Sequence, residues 1–143
     1  MKIATALVGL LLLGIPVARG ADVGENPSGV TVREILKTSV TADGEKLRYP
    51  VTDRPEVTAV EIEIAPGGRT GLHSHPVPVL AWVVSGTLTV EYEGGLVRTF
   101  AAGDPLVETV TRRHEGRNLG TVSVRLLVFY VGAEGTPNTT KRP

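Results

Sequence analysis

The chain is predicted to be all-β, a sandwich, jelly roll or closed barrel in a single domain behind a cleavable leader. Three observations predict this. Short apolar stretches recur at close spacing with Gly, Pro, Asp or Asn between them. Several alternate apolar and polar residues with the period-two pattern of a half-buried strand. Beyond the leader no stretch shows a convincing helical period, and only residues 31–37 fit either reading.

The first twenty residues stand apart. Lys2 supplies a short positive start, and Ile3 to Ile15 is apolar, about 13 residues, too short for a membrane span and in the range of a signal-peptide core. Ala18-Arg19-Gly20 resembles a small-x-small cleavage site, which places the cut after Gly20. The competing reading is an uncleaved anchor helix. With no cysteine, a lipid anchor just after the cut and any disulfide are both excluded. The expected location is the periplasm or the exterior, with no membrane attachment after cleavage. About 120 residues then remain, which suits one domain with one core. The 15 basic and 15 acidic residues balance, and without Lys2 and Arg19 the net charge is about −2. That balance speaks against a nucleic-acid partner or an electrostatically bound membrane.

After the signal peptide (1–20) comes a Gly/Asn/Pro/Ser-rich lead-in (21–29), then the barrel domain (30–132) and a tail (133–143). Val30-Thr31-Val32 and Glu34 to Val40 are expected to pair, and Thr41-Ala42-Asp43-Gly44 is a turn signal. Tyr49-Pro50 and Arg54-Pro55 imply an irregular connection. Thr58 to Ile64 alternates, with Val60, Ile62 and Ile64 on one face and Glu61 and Glu63 on the other. Pro66-Gly67-Gly68 ends it. Leu80 to Val84 is apolar, Ser85-Gly86 turns, and Thr87 to Tyr92 alternates again. Glu93-Gly94-Gly95 leads into Leu96 to Phe100, and Ala102-Gly103-Asp104 into Leu106 to Val110. Val122 to Val131 is the longest strand, followed by a Gly/Pro/Thr-rich tail whose Asn138-Thr139-Thr140 sequon has meaning only in a glycosylating host.

Two strands are apolar on both faces. Ala81 and Val83 oppose Leu80, Trp82 and Val84; Val124, Leu126, Val128 and Tyr130 oppose Leu127, Phe129 and Val131. One face of a barrel strand points outward. An apolar outer face needs a cover, and a homodimer is expected to provide it, the alternative being residues 30–50 of the same chain. Trp82 is expected on this outer face.

Only three histidines occur, His73, His75 and His114. Residues i and i+2 of a strand share a face, so His73 and His75 can chelate one ion. Neutral imidazole is a common metal ligand. The pair needs a third ligand, and His114 on a neighbouring antiparallel strand can supply it.

Here the chain resembles the cupin superfamily over most of the domain. The first cupin motif, G-x5-H-x-H-x3-4-E-x6-G, is matched by Gly67, His73, His75 and Gly86. The second, G-x5-P-x-G-x2-H-x3-N, is matched by Gly103, His114 and Asn118. The resemblance implies a cupin jelly-roll barrel holding a divalent metal on His73, His75 and His114. Fe is favoured, and Mn, Ni, Cu or Zn also suit a histidine shell. Three positions depart from the pattern. Thr109 and Thr111 replace the proline and glycine of the second motif, and Val79 stands where the first expects glutamate. Three neutral histidines would leave the full metal charge facing the open positions, which favours an anionic or bidentate oxygen ligand.

Other residues are secondary. Asn118 is either a hydrogen-bonding group near the site or a turn residue. Arg112 and Arg113 either guide an anionic substrate or are solvated. Glu108 is a candidate base if its strand faces inward, but the path from there to His114 crosses a turn. Val79, Ala81 and Val83 imply an apolar lining for a small ligand. The expected function is an exported metal-binding cupin that oxidises a small organic substrate with oxygen, as a dioxygenase would. The rivals are a non-catalytic cupin that binds a small molecule or metal, an isomerase or lyase, and a metal-free structural protein.

Overall fold

A computed structural model describes residues 29–141. The leader expected over 1–20 and most of the lead-in fall outside the described residues. Among the described residues the strands lie within 55–133 and no helix occurs. Seven strands form: β1 (Pro55–Ile64), β2 (Val79–Ser85), β3 (Thr87–Tyr92), β4 (Val97–Ala101), β5 (Pro105–Glu108), β6 (His114–Arg117) and β7 (Val124–Ala133). They build a four-stranded sheet in the order β1-β7-β2-β5 and a three-stranded sheet in the order β4-β3-β6, with every pairing antiparallel. The fold is an all-β jelly-roll barrel.

The alternating patterns place the core. Val79, Ala81 and Val83 of β2 and Val124, Leu126 and Val128 of β7 are all buried, as are Leu88 and Val90 of β3. Full burial of one such aliphatic side chain is worth roughly 1.5–3 kcal/mol. Gly86, between β2 and β3, has φ 77°, and a Cβ there would lie 2.8 Å from the Ser123 carbonyl oxygen. Only glycine fits this turn.

Two expectations need correction. The strand expected over Glu34–Val40 does not form, and residues 31–38 hold neither strand nor helix. Ile35, Leu36, Leu47 and Tyr49 instead line a groove with Leu80 and Val107 on the outer face of β2 and β5, and Ala42 N–H donates to the Val107 carbonyl (2.8 Å). The segment from β5 to the second-motif histidine leaves the sheet at Glu108, not Val110, because the Val110 and Thr111 N–H groups turn outward to the Glu45 carboxylate. β6, His-Glu-Gly-Arg, carries no apolar alternation, yet it is an antiparallel strand that carries His114, as the histidine spacing anticipates. Its buried positions are His114 and Gly116.

Outside the covered region, Trp82 is half-buried on the face opposite Val79, paired with Leu127 and Pro105. Val57, Val84 and Phe129 are exposed in the single chain.

Candidate metal centre

His73 and His114 are locked together by backbone pairing. His73 N–H donates to the His114 carbonyl (3.0 Å) and His114 N–H to the His73 carbonyl (2.8 Å). His75 follows two residues after His73 and projects into the same space. The three imidazole centroids stand 4.5, 4.8 and 5.2 Å apart. All three histidines are buried.

Each ring is oriented by a carbonyl. His73 Nδ1 lies 2.7 Å from the Gly71 oxygen, His75 Nδ1 2.7 Å from the Asn138 oxygen, and His114 Nδ1 3.2 Å from the Arg112 oxygen. A carbonyl oxygen only accepts, so each Nδ1 carries the proton and each neutral ring keeps its Nε2 lone pair free. Fixing the tautomer this way is how proteins prepare imidazole for a metal.

A fourth donor joins them. Glu108 Oε2 lies 2.9 Å from His75 Nε2 and 3.2 Å from His114 Nε2, and the four donor atoms all fall within 4.8 Å of one another. The site is therefore three histidines and a carboxylate, and the expectation of an uncharged ligand shell at Val79 is corrected. Val79 is fully buried in the core, directly opposite Glu108 in the β2–β5 register. Antiparallel partners point to the same face. The carboxylate thus reaches the barrel interior from the neighbouring strand, one cross-strand step from the motif position.

The electrostatics follow from the geometry. Burial pushes the Glu108 carboxyl up, but hydrogen bonds and charge from His114 and His75 outweigh it and hold the group at about 2. Burial lowers His73. Burial also lowers His114, but Glu108 beside it prevails and raises it. With every Nδ1–H committed to a carbonyl, a proton reaches Nε2 only by making the ring cationic. The Glu108 oxygen is thus faced either by imidazolium protons or by lone pairs that need a cation between them. This donor set fits a divalent metal, which would displace those protons on binding.

A cavity of about 40 Å³ opens beside the four donors, walled by Ile62, Leu88, Val90, Leu126 and Val128, with Thr70 and Tyr130 as further polar groups. That is room on the scale of one or two water molecules. Val79, Ala81 and Val83, expected to line it, are core residues instead. Asn118 is fully buried but away from the cavity. Its amide nitrogen donates to the Ile64 and Val122 carbonyls (2.8 Å each), and its Oδ1 accepts from Gly120 N–H (2.9 Å). Arg112 contributes its carbonyl to His114, while its guanidinium turns to Asp43 (3.4 Å).

The family model for the cupin domain matches residues 60–130, a stretch that includes all four donors. The chain belongs to the cupin superfamily. Among solved structures it is similar to an oxalate decarboxylase from Lactobacillus farciminis in complex with formate, at 28% identity and TM-score 0.51 over 59% of this chain and 26% of that one. It is also similar to an oxalate oxidase in complex with the substrate analogue glycolate, at 24% identity and TM-score 0.51 over 59% and 45% of the two chains. A Thermotoga maritima protein described as a predicted oxalate decarboxylase matches at 20% identity and TM-score 0.47 over 52% and 64%. This cupin spans less than two thirds of the length of each of these chains. No curated protein matches it.

Proposed function

We propose that this cupin is an exported, metal-dependent enzyme that oxidises a small organic acid with oxygen, acting in the periplasm or outside the cell. The observation that carries the reading is the convergence of three Nε2 lone pairs and the Glu108 carboxylate at the wall of a small, largely apolar cavity. Nε2 of His73, His75 and His114 and Oε2 of Glu108 would hold the ion. A mid-row divalent metal, Fe by preference, supplies Lewis acidity and a redox couple there. Mn, Ni, Cu and Zn suit the same donors.

The remaining work belongs to the protein. The walls of Ile62, Leu88, Val90, Leu126 and Val128 exclude water and limit the ligand to a few non-hydrogen atoms. Among the described residues no lysine or arginine lines the cavity. An oxyanion would therefore be neutralised at the donor cluster and not by a remote cation. Burial, followed by the Glu108 charge, raises the Tyr130 phenol, so it stays protonated and offers an O–H donor at the wall. Similarity to a decarboxylase holding formate, a one-carbon carboxylate, supports a small carboxylate ligand. The exposed Val57, Val84 and Phe129 support a homodimer through the outer sheet face.

Metal analysis of the purified protein, before and after reloading, tests the binding step, with about one ion per chain expected. None after reloading would overturn the proposal. O2 uptake by the Fe(II)-loaded protein is then measured with formate, glycolate and oxalate, and a substrate-dependent component is expected. Stoichiometric metal with no such component would favour the non-catalytic binder, to which the lack of a free acid–base pair in the cavity also points.

A further inference from the structure

The last described residues reach back to the metal centre. The chain turns after β7 over Gly135 (φ 78°), and Thr136 N–H donates to the Ala133 carbonyl (3.0 Å). Glu134 is tied down on the way. Its N–H donates to the Arg54 carbonyl (3.0 Å), and its carboxylate pairs with the Arg54 guanidinium. Further on, Thr140 bridges Ser74 in both directions, at 3.1 and 2.8 Å.

Ser74 sits between two ligands. In an extended antiparallel segment, alternate residues present their backbone groups to opposite sides. His73 turns its N–H and C=O to His114, so Ser74 turns its own the other way, and Thr140 meets them there. Between these anchors the Asn138 carbonyl takes the His75 Nδ1 proton at 2.7 Å, and the Thr139 hydroxyl lies 3.4 Å from the same nitrogen.

We infer that residues 134–140 are a strap that completes the metal centre by setting the ring of His75. This rests on the metal-binding reading above. The contrast among the three rings carries it. His73 and His114 take their carbonyls from Gly71 and Arg112, each two residues away in the chain. Their orientation comes with their own loops. His75 takes its carbonyl from a residue 63 positions away, so its orientation depends on the strap staying docked. Pro137, with its fixed φ, limits the freedom of the strap just before the carbonyl that matters. None of residues 134–140 belongs to the hydrophobic core cluster. The strap is a positioning element, and its loss should weaken the site without unfolding the barrel.

Two variants test this. Thr140→Pro in the full chain deletes the N–H that Ser74 accepts, and a chain ending at Gly135 removes the strap beyond its Glu134 anchor. Co(II) titration followed by visible absorption reads the metal site, and imidazole N–H signals in NMR of the metal-free protein read the rings. Both variants are expected to bind Co(II) about ten- to hundredfold more weakly than wild type, the usual cost of removing a ligand's supporting hydrogen bond. The His75 Nδ1–H signal should be lost while those of His73 and His114 persist, with Tm within a few degrees of wild type. Unchanged Co(II) affinity and an intact His75 signal in both variants would overturn the inference. So would collapse of the fold in both, which would make the segment part of the core. If wild type itself takes up no Co(II), the metal reading fails, and the His75 signal alone then decides the strap.

Discussion

Two glutamates grip opposite sides of the loop from β5 to β6, and they do different things with the same functional group. Glu45, from the turn before β1, holds the outer side. Its Oε2 accepts from the Thr109 hydroxyl (2.7 Å), Val110 N–H (3.2 Å) and Thr111 N–H (3.3 Å), and its Oε1 accepts from the Thr111 hydroxyl. Glu108 holds the inner side, against His75 and His114. Burial raises both carboxyls, and in both cases the partners outweigh it. For Glu45 those partners are Thr111 and Thr109, side chain and backbone. For Glu108 they are His114 and His75. The partners of Glu45 bring their own protons, so that cluster is complete. The partners of Glu108 have their Nδ1 protons committed elsewhere, so they meet the carboxylate with protons only as imidazolium, and as neutral rings they leave room for a cation. Which atoms face a carboxylate, more than its burial, separates a structural acid from a candidate metal donor.

The largest effect that would break this contrast is at Glu108. Apparent affinities of structural Zn(II) sites are about 10–16 kcal/mol over about four ligands, so one ligand accounts for roughly a hundredfold or more. Glu108→Gln should weaken Zn(II) binding by about that factor, read by competition with a chelating dye, while Tm of the metal-free protein shifts by only a few degrees. A variant that binds Zn(II) as tightly as wild type would show that Glu108 is a neighbour of the site and not part of it.

A smaller effect is expected if the acid is moved and not removed. Val79 and Glu108 are cross-strand partners on one face. The double variant Val79→Glu/Glu108→Val should recover Zn(II) binding to within about tenfold of wild type, while Glu108→Val alone stays about a hundredfold weaker. Equal weakness in single and double variants would show that the two paired positions do not reach the same point in the barrel.

That pairing also explains what was legible in the sequence. The three histidines were, because i and i+2 spacing and two motif frames are local patterns. β2, β3, β4 and β7 were, because their apolar residues alternate or run. β6 was legible only as the strand that carries His114, and its bounds were not, because its buried positions are a histidine and a glycine, and Gly116 lies there close against Leu88 and Thr70. Glu108 was visible as an inward-facing acid only if its strand was assumed to face inward. Its place among the ligands depends on the register between β2 and β5, a long-range fact with no local signature. The Asn138 carbonyl was hidden for a different reason, since every residue has one.

The smallest effect concerns Glu45. Its folded pKa lies below the ordinary 4.5. A carboxylate depressed on folding contributes stability that is fully present above its unfolded value and is lost as pH falls through its folded value. Glu45→Gln keeps the shape and removes the charge. Because the group is largely solvent-facing, screening limits the loss to about 1 kcal/mol at pH 7. Urea denaturation of wild type and variant at pH 7, 4 and 3 measures it, and the gap should close as the pH drops below about 4.5. Zn(II) affinity at pH 7 should stay within about threefold, since the loop keeps its inner anchor. A gap that persists undiminished at pH 3 would assign the contribution of Glu45 to shape and not charge. A large loss of Zn(II) affinity would mean that the outer grip sets the inner one, and the two sides of the loop would then act as one unit.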